Sequence, residues 1–119
     1  MAKIASFRQL IAWQKAMELA ETCYAVAREF PRSEEFVLSA QLRRSAISVP
    51  SNIAEGQRLS TNAFQNYLRT ALASEAEIET QLELGGRLGC VRWATVEAAT
   101  GQAEEVARLL WGLSTSLRR

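Results

Sequence analysis

The sequence contains no histidine and no aspartate among its 119 residues. Histidine is the usual general base near neutral pH, and together with aspartate it supplies the common catalytic triads and many metal centres. No phosphate-binding loop is evident either, because the glycines of LGGRLG fit neither GxGxxG nor GxxxxGKS. We therefore predict that the protein is not an enzyme and binds no metal, cofactor or small-molecule substrate. A glutamate-dependent enzyme, in which two carboxylates act together, is the outlying alternative.

Cysteine is scarce, and long apolar runs are missing. Cys23 and Cys90 lie far apart without a CxxC motif, so we expect reduced thiols and no disulfide framework. No run approaches the roughly 18 apolar residues of a membrane span, and the N-terminus lacks the apolar centre of a signal peptide. We therefore expect a cytoplasmic protein without a membrane partner.

Composition and charge limit the class of protein further. Hydrophobic residues make up 48% of the chain and charged residues 23%, as in soluble globular proteins. The net charge of +1 favours no particular class of partner. We predict a single domain over residues 1–119, without an internal repeat.

Apolar residues recur at alternating spacings of three and four in four stretches, which predicts four helices and no strand. The core stripe predicted for the first helix is Leu10, Trp13, Met17, Ala20, Tyr24 and Ala27. Ser33 is predicted to cap the second helix, with Glu34 and Glu35 in its first turn. The core stripe predicted for the second helix is Leu38, Leu42, Ala46, Val49, Ile53 and Gly56.

The third helix is predicted to begin after Ser60 as its N-cap and to end near Gly89. Its core stripe is Phe64, Leu68, Ala71, Ile78 and Leu82. The fourth helix continues the same alternation through Val96, Ala99, Ala103, Val106, Leu110, Leu113 and Leu117. Four helices of similar length with short links predict an all-α fold, an antiparallel up-down-up-down four-helix bundle.

The stretch QLRRSAISVPSNIAEGQR reads as a helix with a proline inside it. Pro50 has no N–H, and its ring presses on the carbonyl four residues earlier, so we predict that helix two is kinked at Pro50. Ser48, Ser51 or Asn52 can then satisfy the freed carbonyl groups. The bend is either a fixed part of the architecture or a feature that shapes a binding surface.

Helix two carries a second apolar stripe opposite its core stripe. We interpret this outer stripe as an oligomer interface, because a helix in a monomeric bundle is normally polar on that side. Arg43 is predicted to be an assembly residue paired with a buried carboxylate. The alternative is a set of scattered surface hydrophobic residues. The outer stripe consists of Phe36, Ala40, Arg43, Ile47, Pro50 and Ala54.

Charged residues are unevenly distributed along helices two and three. Three arginines are candidates for binding nucleic acid, namely Arg44, Arg58 and Arg69. Three glutamates spaced by four are candidate ion-pair partners for the arginines of helix two, within or between subunits, namely Glu75, Glu79 and Glu83. We favour pairing over phosphate binding, because lysines and interleaved aromatic residues are few. Glu75 falls on the core face of helix three, where a carboxylate needs a partner.

Most of the chain resembles a known family. The segments FRQLIAWQKAMELAETCYAVAREFP, QLRRSAISVPSNIAEGQRLS, NYLRTALASEAEIETQLELGGRLG and ARLLWGLSTSLRR are similar to successive signatures of the 23S ribosomal RNA intervening-sequence protein family. The resemblance implies a small bacterial four-helix bundle without catalytic activity. Two departures are Ala73-Ser74-Glu75, where the family commonly has Gly-Ser-Leu, and Trp111, where it often has a polar residue.

A relative of this family is the accessory variability determinant of diversity-generating retroelements, a basic homopentameric ring that binds nucleic acid and a reverse transcriptase. The resemblance therefore implies a homo-oligomer, with a pentamer favoured, that associates with ribosomal or other RNA or with a ribonucleoprotein. The alternative is an oligomeric adaptor that recruits another protein, such as a reverse transcriptase, and has no nucleic-acid role.

Overall fold

The computed structural model describes residues 6–118, and within that range it contains four α-helices and no strand. Residues 1–5 and 119 of the predicted domain lie outside the described residues. Among residues 6–118, no helix combines the length and the apolar character that crossing a membrane requires. Single 3₁₀ turns occupy Phe7–Gln9 and Arg32–Glu34. The helices are α1 Ile11–Glu29, α2 Leu38–Gln57, α3 Thr61–Arg87 and α4 Trp93–Leu117.

The four helices form a closed bundle of 49 × 23 × 19 Å. Each helix packs against the next one along the chain, and α4 packs back against α1. The links between successive helices are short, so neighbouring helices run antiparallel. This arrangement confirms the predicted four-helix bundle.

One apolar cluster fills the space between the helices. Every residue of the stripes predicted for α2 and α3 is buried. The α4 stripe is buried from Val96 to Leu110, while Leu113 and Leu117 are partly buried against the cluster. The three-four alternation therefore identified the inner faces of these three helices.

The stripe predicted for α1 is wrong by one residue along most of its length. Met17 is 40% exposed and Tyr24 is 36% exposed. Ala12, Ala16 and Cys23 turn inward in place of their larger neighbours, which lets α1 approach α2 and α4 closely. Of the predicted stripe only Ala27 is fully buried, and Leu10, Trp13 and Ala20 are partly buried. The buried residues of α1 are Ala12, Ala16, Leu19, Cys23, Val26 and Ala27.

Both predicted ends of α3 are confirmed. The Ser60 hydroxyl accepts a hydrogen bond from the Ala63 amide at 3.3 Å, as an N-cap does. At the other end Gly89 adopts a φ of 75°, which favours glycine. The amide of Cys90 donates to the Gly85 carbonyl at 2.8 Å, closing a Schellman motif.

The start of α2 differs from the prediction, because Ser33 does not cap it. Ser33 lies inside the preceding 3₁₀ turn, and α2 begins only at Leu38. The Glu34 carboxylate accepts from the Leu38 amide at 3.4 Å instead, so an acidic side chain satisfies one of the free amides. Phe36 consequently precedes the helix and is 86% exposed.

Pro50 lies inside α2, and small polar residues surround it. The Asn52 amide donates to the Ser48 carbonyl at 2.7 Å. The carbonyl that Pro50 leaves without its helical donor is that of Ala46, so satisfaction of the freed carbonyl by a small polar side chain stays a prediction. The predicted kink itself stays a prediction.

Hydrogen bonds between side chains join α2 to α3. The Ser74 hydroxyl lies 2.7 Å from the Ser48 hydroxyl, and the Gln81 amide donates to the Ser45 hydroxyl at 3.1 Å. We call these four residues the polar seam. Three of the four are serines, whose short side chains allow α2 and α3 to pack closely there.

Candidate assembly surface and arginine clusters

An apolar groove runs between the outer faces of α1 and α2. It encloses a volume of about 410 Å³. Ile47 on α2 is 47% exposed, and Met17 on α1, which also lines the groove, is 40% exposed. At one end the Phe7 ring packs 5.3 Å from the Trp13 ring. We call this surface the α1–α2 groove, and its main lining residues are Trp13, Met17, Ala20, Ile47, Pro50 and Ala54.

The α1–α2 groove contains three of the six residues predicted for the oligomer interface, namely Ile47, Pro50 and Ala54. Ala40 and Arg43 are half-buried nearer the start of α2. The contribution of α1 was missed, because the sequence pattern assigned its large side chains to the core. The sequence did contain a sign of this contribution, because the apolar residues of α1 cover a wider face of the helix than one buried stripe occupies.

Arg43 contacts groups of its own chain. Its guanidinium donates to the Ser39 hydroxyl at 2.8 Å and to the Glu35 carbonyl at 3.3 Å. Ser39 is buried, and its hydroxyl donates to the Ala27 carbonyl at 3.1 Å. This chain of hydrogen bonds ties the first turn of α2 to the last turns of α1. An assembly role for Arg43 stays a prediction.

Within residues 6–118, the predicted pairing between α2 arginines and α3 glutamates is not formed. Across residues 6–118, the ion pairs shorter than 4.0 Å are Lys15–Glu18 and Glu83–Arg87. Glu83 therefore pairs with its own helix, at 2.9 Å and in an exposed position. Such a pair contributes only about 0.3–0.5 kcal/mol. Pairing between subunits stays a prediction.

Glu75 is the buried carboxyl of the bundle, as its place on the core face predicted. Only 4% of its surface is exposed, and no group of the described residues forms a hydrogen bond with its Oε2 atom. Burial, a hydrogen bond with the Glu79 carboxyl, and the charges of Glu79 and Glu104 raise its pKa to about 8. Glu75 is thus mainly a neutral acid at pH 7, and its partner is a second carboxyl rather than an arginine.

Glu75, Glu79 and Glu104 lie near one another without forming a metal site. In the part of the chain that the structure describes, no three acidic or thiol side chains are arranged to hold a metal ion. A proton shared between Glu75 and Glu79 accounts for their proximity, because two adjacent carboxylates avoid repulsion when one stays protonated.

The three arginines predicted to bind nucleic acid are spread over the bundle. Arg44 is exposed on α2, whereas Arg58 follows the end of that helix with its guanidinium 5.5 Å from the Phe7 ring centre. Fourteen residues of helix separate them by about 21 Å along its axis. Arg69 lies on α3 and donates to Asn66 at 3.2 Å. Their role in binding stays a prediction.

A different set of arginines is brought together at one corner of the bundle. Arg28 from the last turn of α1, Arg32 from the 3₁₀ turn and Arg43 from α2 line a cleft of about 400 Å³. Ser39 and Glu35 lie in the same wall. We call this site the arginine cleft. It was missed because its arginines come from three elements and form no pattern in the sequence.

Both cysteines are free thiols, as predicted. Burial raises the pKa of Cys23 to about 12. The pKa of Cys90 is also raised, by burial and by the nearby charge of Glu34. Neither environment favours the thiolate that nucleophilic or redox chemistry needs.

Comparisons with known proteins agree with this architecture. The sequence profile of the family described as 23S rRNA-intervening sequence protein matches residues 8–112. A crystal structure from Bacteroides thetaiotaomicron, a protein of unknown function from the S23 ribosomal protein family, shares 28% identity and a TM-score of 0.82. The match covers 87% of this chain and 98% of that one. No curated protein of described function matches.

Proposed function

Because the chain belongs to the 23S rRNA-intervening sequence protein family, we propose that it is a non-catalytic scaffold that self-assembles into a homo-oligomeric ring and associates with RNA. A pentamer is the favoured size, from the resemblance described above. The bundle supplies the rigid unit, the α1–α2 groove supplies contact between copies, and exposed arginines supply contact with phosphates.

The observation that carries the assembly is the α1–α2 groove. Both of its walls are apolar, although each helix already buries a separate stripe in the core. Water contact with such a surface is unfavourable, at roughly 25 cal/mol for each Å² left exposed. A second copy of the chain is the proposed occupant. In a ring this surface meets a different surface of the next copy, and the contact repeats until the ring closes.

Light scattering at micromolar concentration tests the assembly. The wild type should show a mass several times that of the 13.2 kDa chain, with five copies favoured. Ile47→Glu should lower that mass, because a carboxylate would replace a groove residue, while the helical circular dichroism stays unchanged. Ile47→Val is the matched control and should keep the mass. A wild type that runs as a monomer would reject the assembly.

The RNA association is supported by the unpaired arginines. Arg44, Arg58 and Arg69 have no carboxylate within 4.0 Å in the described structure, so their charges are available to a partner. Repetition of each arginine around a ring would add up weak phosphate contacts. The family description names an intervening sequence of 23S rRNA, which favours RNA as the nucleic acid.

Recovery of the protein from its host under mild salt, followed by sequencing of bound RNA and identification of bound proteins, tests this association. RNA should be enriched, and Arg58→Ala should bind it more weakly with a shallower dependence of affinity on salt, because fewer counterions are released. Recovery of a partner protein without RNA would instead favour the adaptor that recruits another protein.

A further inference from the structure

We propose that the arginine cleft is a binding site for a phosphate group. The inference rests on the proposed function only for the source of that phosphate, since RNA is one source among several. The site itself is a property of the folded chain, because Arg28, Arg32 and Arg43 line one cleft.

The balance of charge in the cleft favours an anion. Three guanidiniums and one carboxylate, that of Glu35, line it, which leaves a net charge of +2. Within residues 6–118, none of the three arginines has a carboxylate within 4.0 Å, although Glu35 stands in the same wall. Like charges gathered in one cleft repel each other, and an anion placed between them removes that repulsion.

Arg43 is held in position before any ligand arrives. Two hydrogen bonds fix its guanidinium to Ser39 and to the Glu35 carbonyl, and they use two of its five donors. The remaining donors are free to point into the cleft. A guanidinium that is already ordered loses less conformational entropy on binding than a mobile one.

The ends of two helices, α1 and α2, border the cleft. The Ala27 carbonyl already accepts from the Phe30 amide at 3.3 Å and from the Ser39 hydroxyl at 3.1 Å, so its lone pairs are occupied. Ser39 is the second residue of α2, so the first turn of that helix borders the cleft. The start of α2 carries a partial positive charge and the last turn of α1, which supplies Ala27 and Arg28, a partial negative one. These effects oppose each other, so the attraction for an anion comes from the arginines.

The geometry favours phosphate over a carboxylate. The two oxygens of a carboxylate lie in one plane and match one guanidinium fork, whereas the oxygens of a phosphate accept from donors that arrive from different directions. Here the donors come from α1, from a turn and from α2. The Glu35 carboxylate, although Glu35 lines the cleft, forms no ion pair with any of the three arginines in the described structure.

Isothermal titration calorimetry on the full chain tests the site, with inorganic phosphate, a 5′-mononucleotide, acetate and a short unstructured RNA as separate probes at constant ionic strength. Arg32→Ala should weaken inorganic phosphate binding by about tenfold, since one charge-assisted contact is lost. Arg28→Ala should do the same. Arg108→Ala, an exposed arginine of α4 outside the cleft, is the control with the same change of charge and should bind as the wild type does.

The outcomes separate the site from the proposed function. If phosphate and RNA compete and both lose affinity in Arg32→Ala, the phosphate site stands and the RNA association gains support. If inorganic phosphate or the mononucleotide binds with the expected variant effects but the wild type shows no RNA binding at all, the site stands and the RNA association fails. Absence of phosphate binding, equal loss in Arg108→Ala, or equal binding of acetate would overturn the inference.

Discussion

The buried carboxyl of Glu75 makes the stability of the bundle depend on pH, and Glu75→Gln should remove that dependence. A glutamine has nearly the shape of a protonated glutamic acid, and its amide can donate to the Glu79 carboxylate. Unlike the acid, it cannot ionise in either the folded or the unfolded chain. The substitution therefore isolates the effect of ionisation from the effect of packing.

The size of the effect follows from the two pKa values. The pKa of Glu75 rises from its usual 4.5 to about 8 in the folded chain. Between these values the unfolded chain releases the proton while the folded chain keeps it, so the free energy of unfolding falls by about 1.4 kcal/mol per pH unit. The contribution is fully present below pH 4.5 and is lost by pH 8. At pH 7 the loss is about 3 kcal/mol.

Urea unfolding at pH 5, 7 and 8.5, at one fixed protein concentration, measures this dependence. Glu75→Gln should match the wild type closely at pH 5 and exceed it at pH 7 by up to about 3 kcal/mol, which raises the melting temperature by roughly 10 °C. Glu77→Gln is the control, because Glu77 is exposed on the same helix, and it should change stability by no more than about 0.5 kcal/mol. Equal stability of Glu75→Gln and the wild type at pH 7 and 8.5 would refute the reasoning.

Two further predictions concern packing and thiol reactivity. Gly56→Ala should lower the free energy of unfolding by about 1–3 kcal/mol, because the added Cβ would lie 2.7 Å from the Cβ of Tyr67. Gly101→Ala, which meets open space, should raise it by about 0.5–1 kcal/mol, and urea unfolding would contradict both if the two variants behaved alike. In the folded protein, iodoacetamide at pH 8 should modify Cys90 well before Cys23, since Cys23 is buried with a pKa of about 12. Intact-mass analysis checks this order, and simultaneous modification of both thiols would count against it.

Much of the fold could be predicted because the core stripes of α2, α3 and α4 are continuous. In α2 a second apolar stripe competes with the core stripe, but Arg43 interrupts it, so the three-four alternation still identifies the inner face. The ends of α3 were also predictable, because the Ser60 cap and the Gly89 turn depend on residues within a few positions of each other. Local chemistry of this kind is visible in a single sequence.

Features that depend on contacts between distant segments were less accessible. In α1 two stripes one residue apart are both apolar, and the choice depends on the space that α2 and α4 leave. Ala12 and Ala16 fit that space, whereas Trp13 and Met17 do not. The spacing of residues along α3 correctly predicted that Glu75 lies on the core face. It did not identify the Glu79 carboxyl as the hydrogen-bond partner of Glu75. The arginine cleft likewise exists only after the chain has folded.

The polar seam has a consequence for how α2 and α3 can move. Apolar side chains tolerate sliding past one another, because dispersion forces depend little on direction. Hydrogen bonds such as Ser48–Ser74 and Ser45–Gln81 do not, since a shift of one helical turn, about 5.4 Å, would separate the partners of both. The polar seam therefore fixes the register of α2 on α3. Every copy of the chain then presents the α2 wall of the α1–α2 groove at the same position along the bundle.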